Sequence, residues 1–312
     1  MTILRPLVCS LAALTAASLC QTQAAPVRPP LTSVSHLAVY SSDAAKSEFF
    51  YVHDLGGVKR DDPENPKGVR YYFNPIQFVE VLPLPAGPPS IERMDHAAFN
   101  TADAEGMRRY LKANGIKVPS HVAKGSDGSE WFDVVDPEGT KIEFVRPPAS
   151  PLPVAGGEAV SNHIFHVGFI IHNQELEDAF YKKVLGFRPY WWGGMNEHDH
   201  TWISQQLPDS TDWMEYMVVG DPKGRGIPPE MPQSTLGVLN HFAFGVDNME
   251  RIVTFLYNGE RLSAKSDGPK IGRDAKWQFN LYDPDGTRAE IMEFQPIGKP
   301  CCSPFTAENP TK

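Results

Sequence analysis

Cysteine is scarce, four residues in 312. Cys9 and Cys20 fall within the first two dozen positions, and Cys301 and Cys302 are neighbours near the end, so a framework of disulfides is excluded. Basic runs are missing as well. With a formal charge of −9 and a pI near 5.6, no basic face is available for a nucleic acid or an anionic membrane. No apolar run is long enough to span a bilayer. Low-complexity stretches are absent too, and 41% hydrophobic residues suffice for cores of two ordinary domains.

The first 25 residues differ from the rest. A single charge, Arg5, precedes an apolar run from Leu7 to Leu19 and small residues around Ala24-Ala25-Pro26. This layout predicts a signal peptide over 1–25, cleaved after Ala24 or Ala25, and a periplasmic or secreted protein without a membrane anchor after cleavage. Cys9 and Cys20 would leave with it. Three readings stay open for Cys301 and Cys302: a vicinal disulfide, a cross-link between chains, or exposed thiols without function.

What is present is a pair of residues that recurs four times. His36 is followed by Glu80, His96 by Glu143, His166 by Glu215 and His241 by Glu290, at separations of 44, 47, 49 and 49 residues. Each histidine and each glutamate sits in a short run with strand alternation. Between the two runs come a helix opening on a capping residue, such as Asp43, Asp103 or Asn173, and further strands. In the last unit Asp247 and Glu250 read as a capping box ahead of Ile252, Phe255 and Leu256. In the third, Leu176, Ala179, Phe180 and Val184 are expected to face inward. The turn Asp136-Pro-Glu-Gly-Thr-Lys-Ile-Glu143 is nearly restated as Asp283-Pro-Asp-Gly-Thr-Arg-Ala-Glu290. Proline cannot extend the strand and glycine supplies the freer backbone of the reversal.

These regular intervals predict an α+β fold of four tandem βαβββ modules. The predicted N-terminal domain covers 34–146 (modules 34–83 and 91–146). A Pro-rich linker over 147–160 leads to a C-terminal domain over 161–296 (modules 161–220 and 236–296) and a tail over 297–312. With this grammar and its Asp-Pro-Glu/Asp-Gly turns, the chain resembles a four-module member of the vicinal oxygen chelate superfamily, which includes glyoxalase I, methylmalonyl-CoA epimerase, bleomycin-resistance proteins and extradiol dioxygenases. The match runs from about Val34 to Gln295. The resemblance implies that modules pair into two open, cupped mixed sheets with helices outside, each cup enclosing a metal.

It further implies the ligands: His166, Glu215, His241 and Glu290 in the second half, and His36, Glu80, His96 and Glu143 in the first. Imidazole and carboxylate suit divalent iron, manganese, nickel, zinc or cobalt, with two further octahedral positions open. A lone histidine near a strand start is more often a core residue, but a carboxylate set among apolar neighbours must face a cation, a donor or water. On strand parity Glu293 and His163 are expected to point away from these sites. His198 and His200 are read as a solvated loop rather than a second cation site. The aromatic interior formed by Trp191, Trp192, Trp202, Trp213, Tyr216 and Trp277 is core that partly lines a ligand pocket.

Three functions follow. The first is a divalent-metal-dependent enzyme acting on a small molecule with vicinal oxygens, of glyoxalase, epimerase or lyase type, in which Glu215 or Glu290 moves the proton. The second is an extradiol-type ring-cleaving dioxygenase using the triad His166, His241 and Glu290. Against it, Arg273 to Leu281 contains no histidine, and Asn280 stands where that family has a tyrosine. The third is a small-molecule-binding protein, resembling the bleomycin-resistance proteins, that does no chemistry. The expected partner is a small molecule, not nucleic acid or membrane, and the chain is expected to be a monomer or homodimer.

Overall fold

A computed structural model describes residues 26–87, 92–155, 158–220, 239–262, 265–266 and 268–312. The predicted signal peptide lies outside the described residues. From the N-terminus the elements are β1 (Leu31–Ser41), α1 (Ala44–Glu48), β2 (Val58–Asp61), β3 (Val69–Asn74) and β4 (Gln77–Pro83). They continue as β5 (Met94–Thr101), α2 (Ala104–Ala113), β6 (Ala123–Lys124), β7 (Glu130–Val135) and β8 (Lys141–Arg146). The second half repeats the order with β9 (Ile164–Ile171), α3 (Gln174–Asp178), β10 (Arg188–Gly193), β11 (Trp202–Gln206) and β12 (Trp213–Val218). It ends with β13 (His241–Val246), α4 (Met249–Asn258), β14 (Lys270–Ile271), β15 (Trp277–Tyr282) and β16 (Arg288–Glu293).

These strands form two mixed eight-stranded sheets of matching order, β2-β3-β4-β1-β5-β8-β7-β6 and β10-β11-β12-β9-β13-β16-β15-β14. In each sheet the histidine strands are central and antiparallel neighbours, β1 beside β5 and β9 beside β13, and each is parallel to the glutamate strand of its own module. That arrangement brings all four side chains of a quartet to the middle of one face. β1 begins at Leu31, three residues before the expected start, because Leu31 and Ser33 still pair with Thr101 and Asn100.

The opposite faces of the two sheets share one apolar core, in which Phe73 meets Phe244 at 4.6 Å, Phe99 meets Phe187 at 5.4 Å and Tyr51 meets Phe242 at 6.5 Å between ring centroids. The predicted linker does not hang free. Pro147 to Leu152 lie along the mouth of the first cup, where Arg60 donates to the carbonyls of Leu152 and Pro153. The tail is bound as well, through Trp192 N–H to Ser303 Oγ, Thr306 N–H to the Tyr190 carbonyl and Gln206 to the Glu308 carbonyl. Cys301 and Cys302 form the vicinal disulfide.

Two local expectations are corrected. The cap of α4 is Asn248, whose side chain accepts the Arg251 N–H, while Asp247 is exposed. Leu176 is 44% exposed instead of inward. After α3 the chain widens into a π-type turn at Ala179–Val184, as it does after α1 at Phe49–Asp54, and the added residue rotates the inward face onto Phe180 and Tyr181.

The Asp-Pro-x-Gly turns do more than reverse the chain. Asp136 accepts the Thr140 N–H at 2.8 Å and Asp283 accepts the Thr287 N–H at 2.8 Å, with Gly139 and Gly286 at φ 101° and 93°. Each turn also clasps the other half. Tyr51 donates to Asp283 and Tyr181 donates to Asp136 at 3.0 and 3.1 Å. Asp285 accepts the Ser42 N–H and Glu138 accepts the His172 N–H, so each turn holds the corner where a histidine strand of the other half ends.

Candidate metal centres

In the second cup His166 stands on β9, Glu215 on β12, His241 on β13 and Glu290 on β16. Their polar tips converge. His166 Nε2 lies 3.1 Å from His241 Nε2 and 3.3 Å from Glu290 Oε2, while His241 Nε2 lies 3.3 Å from Glu215 Oε2 and 3.8 Å from Glu290 Oε2. Donors bound to one ion at about 2.1 Å and at right angles stand about 3.0 Å apart, so these separations suit a shared cation. His241 Nδ1–H donates to the Leu239 carbonyl at 2.8 Å, which leaves the Nε2 lone pair facing the centre. His166 is instead held by stacking on Trp213 at 3.8 Å, and its buried Nδ1 has no hydrogen-bond partner.

The first cup repeats the arrangement with His36 on β1, Glu80 on β4, His96 on β5 and Glu143 on β8. His36 Nε2 is 2.9 Å from His96 Nε2, and Glu80 lies 3.7 and 3.5 Å from the two rings. Glu143 reaches both at 3.8 Å. Both Glu143 oxygens and Glu80 Oε2 are buried without a hydrogen-bond partner, as expected of carboxylates arranged for an ion. Around this quartet, Ser35 Oγ contacts His36 Nδ1 at 3.0 Å, and Asp95 contacts His96 Nδ1 at 2.6 Å while also binding Lys141 and Tyr40. Burial would raise Asp95, but the bonds from His96, Lys141 and Tyr40 hold it well below the usual carboxylate range. Asp95→Asn is therefore expected to weaken ion binding in this half about 10–100-fold, read by titrating the chelated protein with Mn2+.

The two centres differ in access. A cavity of about 420 Å3 opens onto the second one, lined by Glu215 and Glu290 together with Trp191, Trp202, Arg273 and Arg288. The cavity of the first cup, about 710 Å3, touches none of the four side chains of its quartet. Arg70 and Phe78 intervene, the guanidinium 4.4 Å from the Phe78 ring and Phe78 stacked on His36 at 4.3 Å.

Electrostatics separate the four side chains of the second cup's quartet. Burial pushes Glu215 up to about 7 and lowers His166 to about 4 and His241 to about 3, Arg288 adding to the last. For Glu290 burial acts upward, but Arg288 and His166 outweigh it and hold the group ionised, well below its usual range. In metal-free protein the unfolded chain binds more protons at both histidines between about pH 4 and their ordinary 6.5, so stability falls on acidification through that window. Glu215 acts oppositely between its ordinary 4.5 and about 7, as do the buried carboxyls of Asp274, raised to about 7, and Asp283, raised to about 6. The increase in melting temperature on adding Mn2+ is therefore expected to shrink as pH falls from about 6.5 to 4, because protons and ion compete for the same side chains.

Gly168 is a residue that the sequence reading passed over. It pairs with His241 across β9 and β13, and a Cβ there would lie 2.1 Å from His241 Cε1. The first cup places Ala38 opposite His96, whose Nδ1 turns to Asp95. Gly168→Ala should thus rotate His241 away from Leu239, cost about 1–3 kcal/mol and weaken the second centre alone. A melting curve and a metal titration read the two effects.

The remaining polar residues fall elsewhere. Glu293 accepts the Met249 N–H at 2.7 Å, and His163 contacts Asp212 and the Thr311 carbonyl. His198 and His200 are exposed, with His200 4.5 Å from Trp192.

Residues 33–144 match the sequence profile of the Glyoxalase/Bleomycin resistance protein/Dioxygenase superfamily. No curated protein matches the chain. Among solved structures it is similar to catechol 2,3-dioxygenase, with 14% identity over 88% of this chain and 95% of the other at a TM-score of 0.60. It is also similar to the Mn(II)-bound glyoxalase of Novosphingobium aromaticivorans, with 18% identity over 85% and 83% at 0.60. The 2,3-dioxygenase LapB of Pseudomonas sp. KL28 gives 15% identity over 88% and 97% at 0.60. The first half therefore carries the sequence pattern of this superfamily, and the two halves together share the fold of these solved structures.

Proposed function

We propose that the chain is a divalent-metal-dependent enzyme that moves a proton on a small molecule with two neighbouring oxygens, and that it does so in the second cup. The observation that carries this is the convergence of His166, Glu215, His241 and Glu290 at the floor of an open cavity, with the two carboxylates facing it. A bound divalent ion would supply Lewis acidity to the substrate oxygens.

The chain's own residues do the rest. Glu215, whose burial sets its affinity for protons near neutrality, takes the proton from the carbon beside those oxygens and returns it after rearrangement or elimination. Glu290, held ionised beside Arg288, stays a ligand. Arg273 and Arg288 favour a substrate with negative charge, and Trp191, Trp202 and Trp213 cover an apolar portion and exclude water. Exchange of solvent deuterium into an α-hydroxy or α-keto acid, abolished by chelation and restored by Mn2+, supports the reading. Metal-loaded protein that exchanges none across a panel of such acids rejects it.

The dioxygenase-like solved structures and the triad His166, His241 and Glu290 favour a second reading, ring cleavage of a catechol. The residues lining the cavity include no histidine, and Asn280 faces it opposite Glu290, so the usual acid–base assistance lacks a donor. Oxygen uptake with catechols would favour this alternative. A non-catalytic binding role would leave ligand binding intact with neither activity. The predicted leader at 1–25 would carry the enzyme out of the cytoplasm, and an N-terminus at Ala25 or Pro26 in protein recovered from the periplasm or medium tests it.

A further inference from the structure

The two cups differ at the positions directly across from their glutamates. In the second cup Glu215 pairs with Ser204 and Glu290 with Asn280. In the first, Glu80 pairs with Arg70 and Glu143 with Asp133. A neutral pair has become a guanidinium and a third carboxylate. The loop before β3 adds Asp62 and Glu64, and Arg70 binds both, at 3.0 and 2.9 Å.

Charge then fails to balance. Asp62, Glu64, Glu80, Asp133 and Glu143 bring five carboxylates to one region, against the single guanidinium of Arg70. Lys141 is already bound to Asp95. One divalent ion in the histidine-glutamate quartet still leaves two negative charges, in a region where burial makes unpaired charge costly. Oxygen atoms of Glu64, Asp133 and Glu143 lie within 4.8 Å of one another. Glu143 is 0% exposed, and both its oxygens and Asp133 Oδ1 are buried without hydrogen-bond partners. Glu64 gives one oxygen to Arg70 and has a second to offer.

We propose that the first cup holds two divalent ions that share Glu143: one in the quartet His36, Glu80, His96 and Glu143, the other between Glu64, Asp133 and Glu143. The second site offers oxygen only, so it selects a hard ion such as Mn2+, Mg2+ or Ca2+ over the softer metals that favour imidazole. A shared carboxylate places the ions about 3.5–4 Å apart, close enough for magnetic coupling. The site rests on the reading that the first quartet binds metal.

The test uses the full chain, chelated and then reloaded with Mn2+, with ion content measured by native mass spectrometry and coupling by electron paramagnetic resonance. Wild type should show an exchange-coupled pair in addition to the uncoupled ion of the second cup. Asp133→Asn and Glu64→Gln should each lose one ion and the coupled signal while keeping the wild-type melting profile in chelator. His96→Ala should also abolish coupling. If Asp133→Asn and Glu64→Gln hold as many ions as wild type and no coupled signal appears, protons neutralise the cluster and the shared-ion site is wrong. Loss of an ion from His96→Ala in that outcome leaves the quartet reading standing, and unchanged content in all three variants overturns both.

Discussion

His241→Ala is expected to remove the ion from the second cup and to lower proton exchange about a thousandfold or more. Lewis-acid stabilisation amounts to several kcal/mol, and about 4 kcal/mol corresponds to that factor. The loss has a geometric basis. Among the described residues, His241 Nε2 is the one nitrogen within 3.8 Å of both Glu215 and Glu290, and its Nδ1–H is fixed on Leu239. The companion variant discriminates. His96→Ala removes an equivalent ligand from the first cup, whose centre is screened from its cavity by Arg70 and Phe78, and turnover should stay within about threefold of wild type, as for a distant independent site. Metal content should fall in both variants, and activity only in the first. Equal losses of activity would show that the halves act together.

Glu215→Gln should lower exchange about 10^2–10^4-fold while the second cup keeps its ion. Glutamine preserves the shape of the side chain but removes the base. His166, His241 and Glu290, which remain, form a two-histidine, one-carboxylate set sufficient for a divalent metal. A rate loss that tracks metal loss, and recovers when more Mn2+ is added, would make Glu215 indispensable for holding the ion and transfer the role of base to Glu290. The measurement is the exchange rate plotted against bound metal, not against protein.

The two quartets could be found in the sequence because strand alternation and the Asp-Pro-x-Gly turns leave little freedom. Once His241 is set on the inner face, the parallel pairing of β13 with β16 puts Glu290 there and Glu293 on the other side, where it binds the Met249 N–H. What could not be read has physical reasons. Asp62 and Glu64 belong to a loop with no periodicity, and only the fold brings them to Arg70. Asp133 and Arg70 alternate as correctly as any strand residue, but which strand lies beside which glutamate is a fact of pairing. The π-type turn after α3 displaces Leu176 outward, since a single inserted residue changes the face without changing composition. The clasp of the second turn on the first half joins residues 232 positions apart in Tyr51 and Asp283, and that of the first turn joins Tyr181 and Asp136 across 45, both beyond the reach of any local pattern.

The central claim is that imidazoles and carboxylates from two modules grip one ion at the floor of the second cup. Anomalous diffraction from crystals of protein purified without chelator and supplied with Mn2+ tests it most directly. The account predicts a manganese peak bounded by His166, Glu215, His241 and Glu290, with a second inside the first cup. Density at neither quartet, in crystals that hold the same fold, would contradict it.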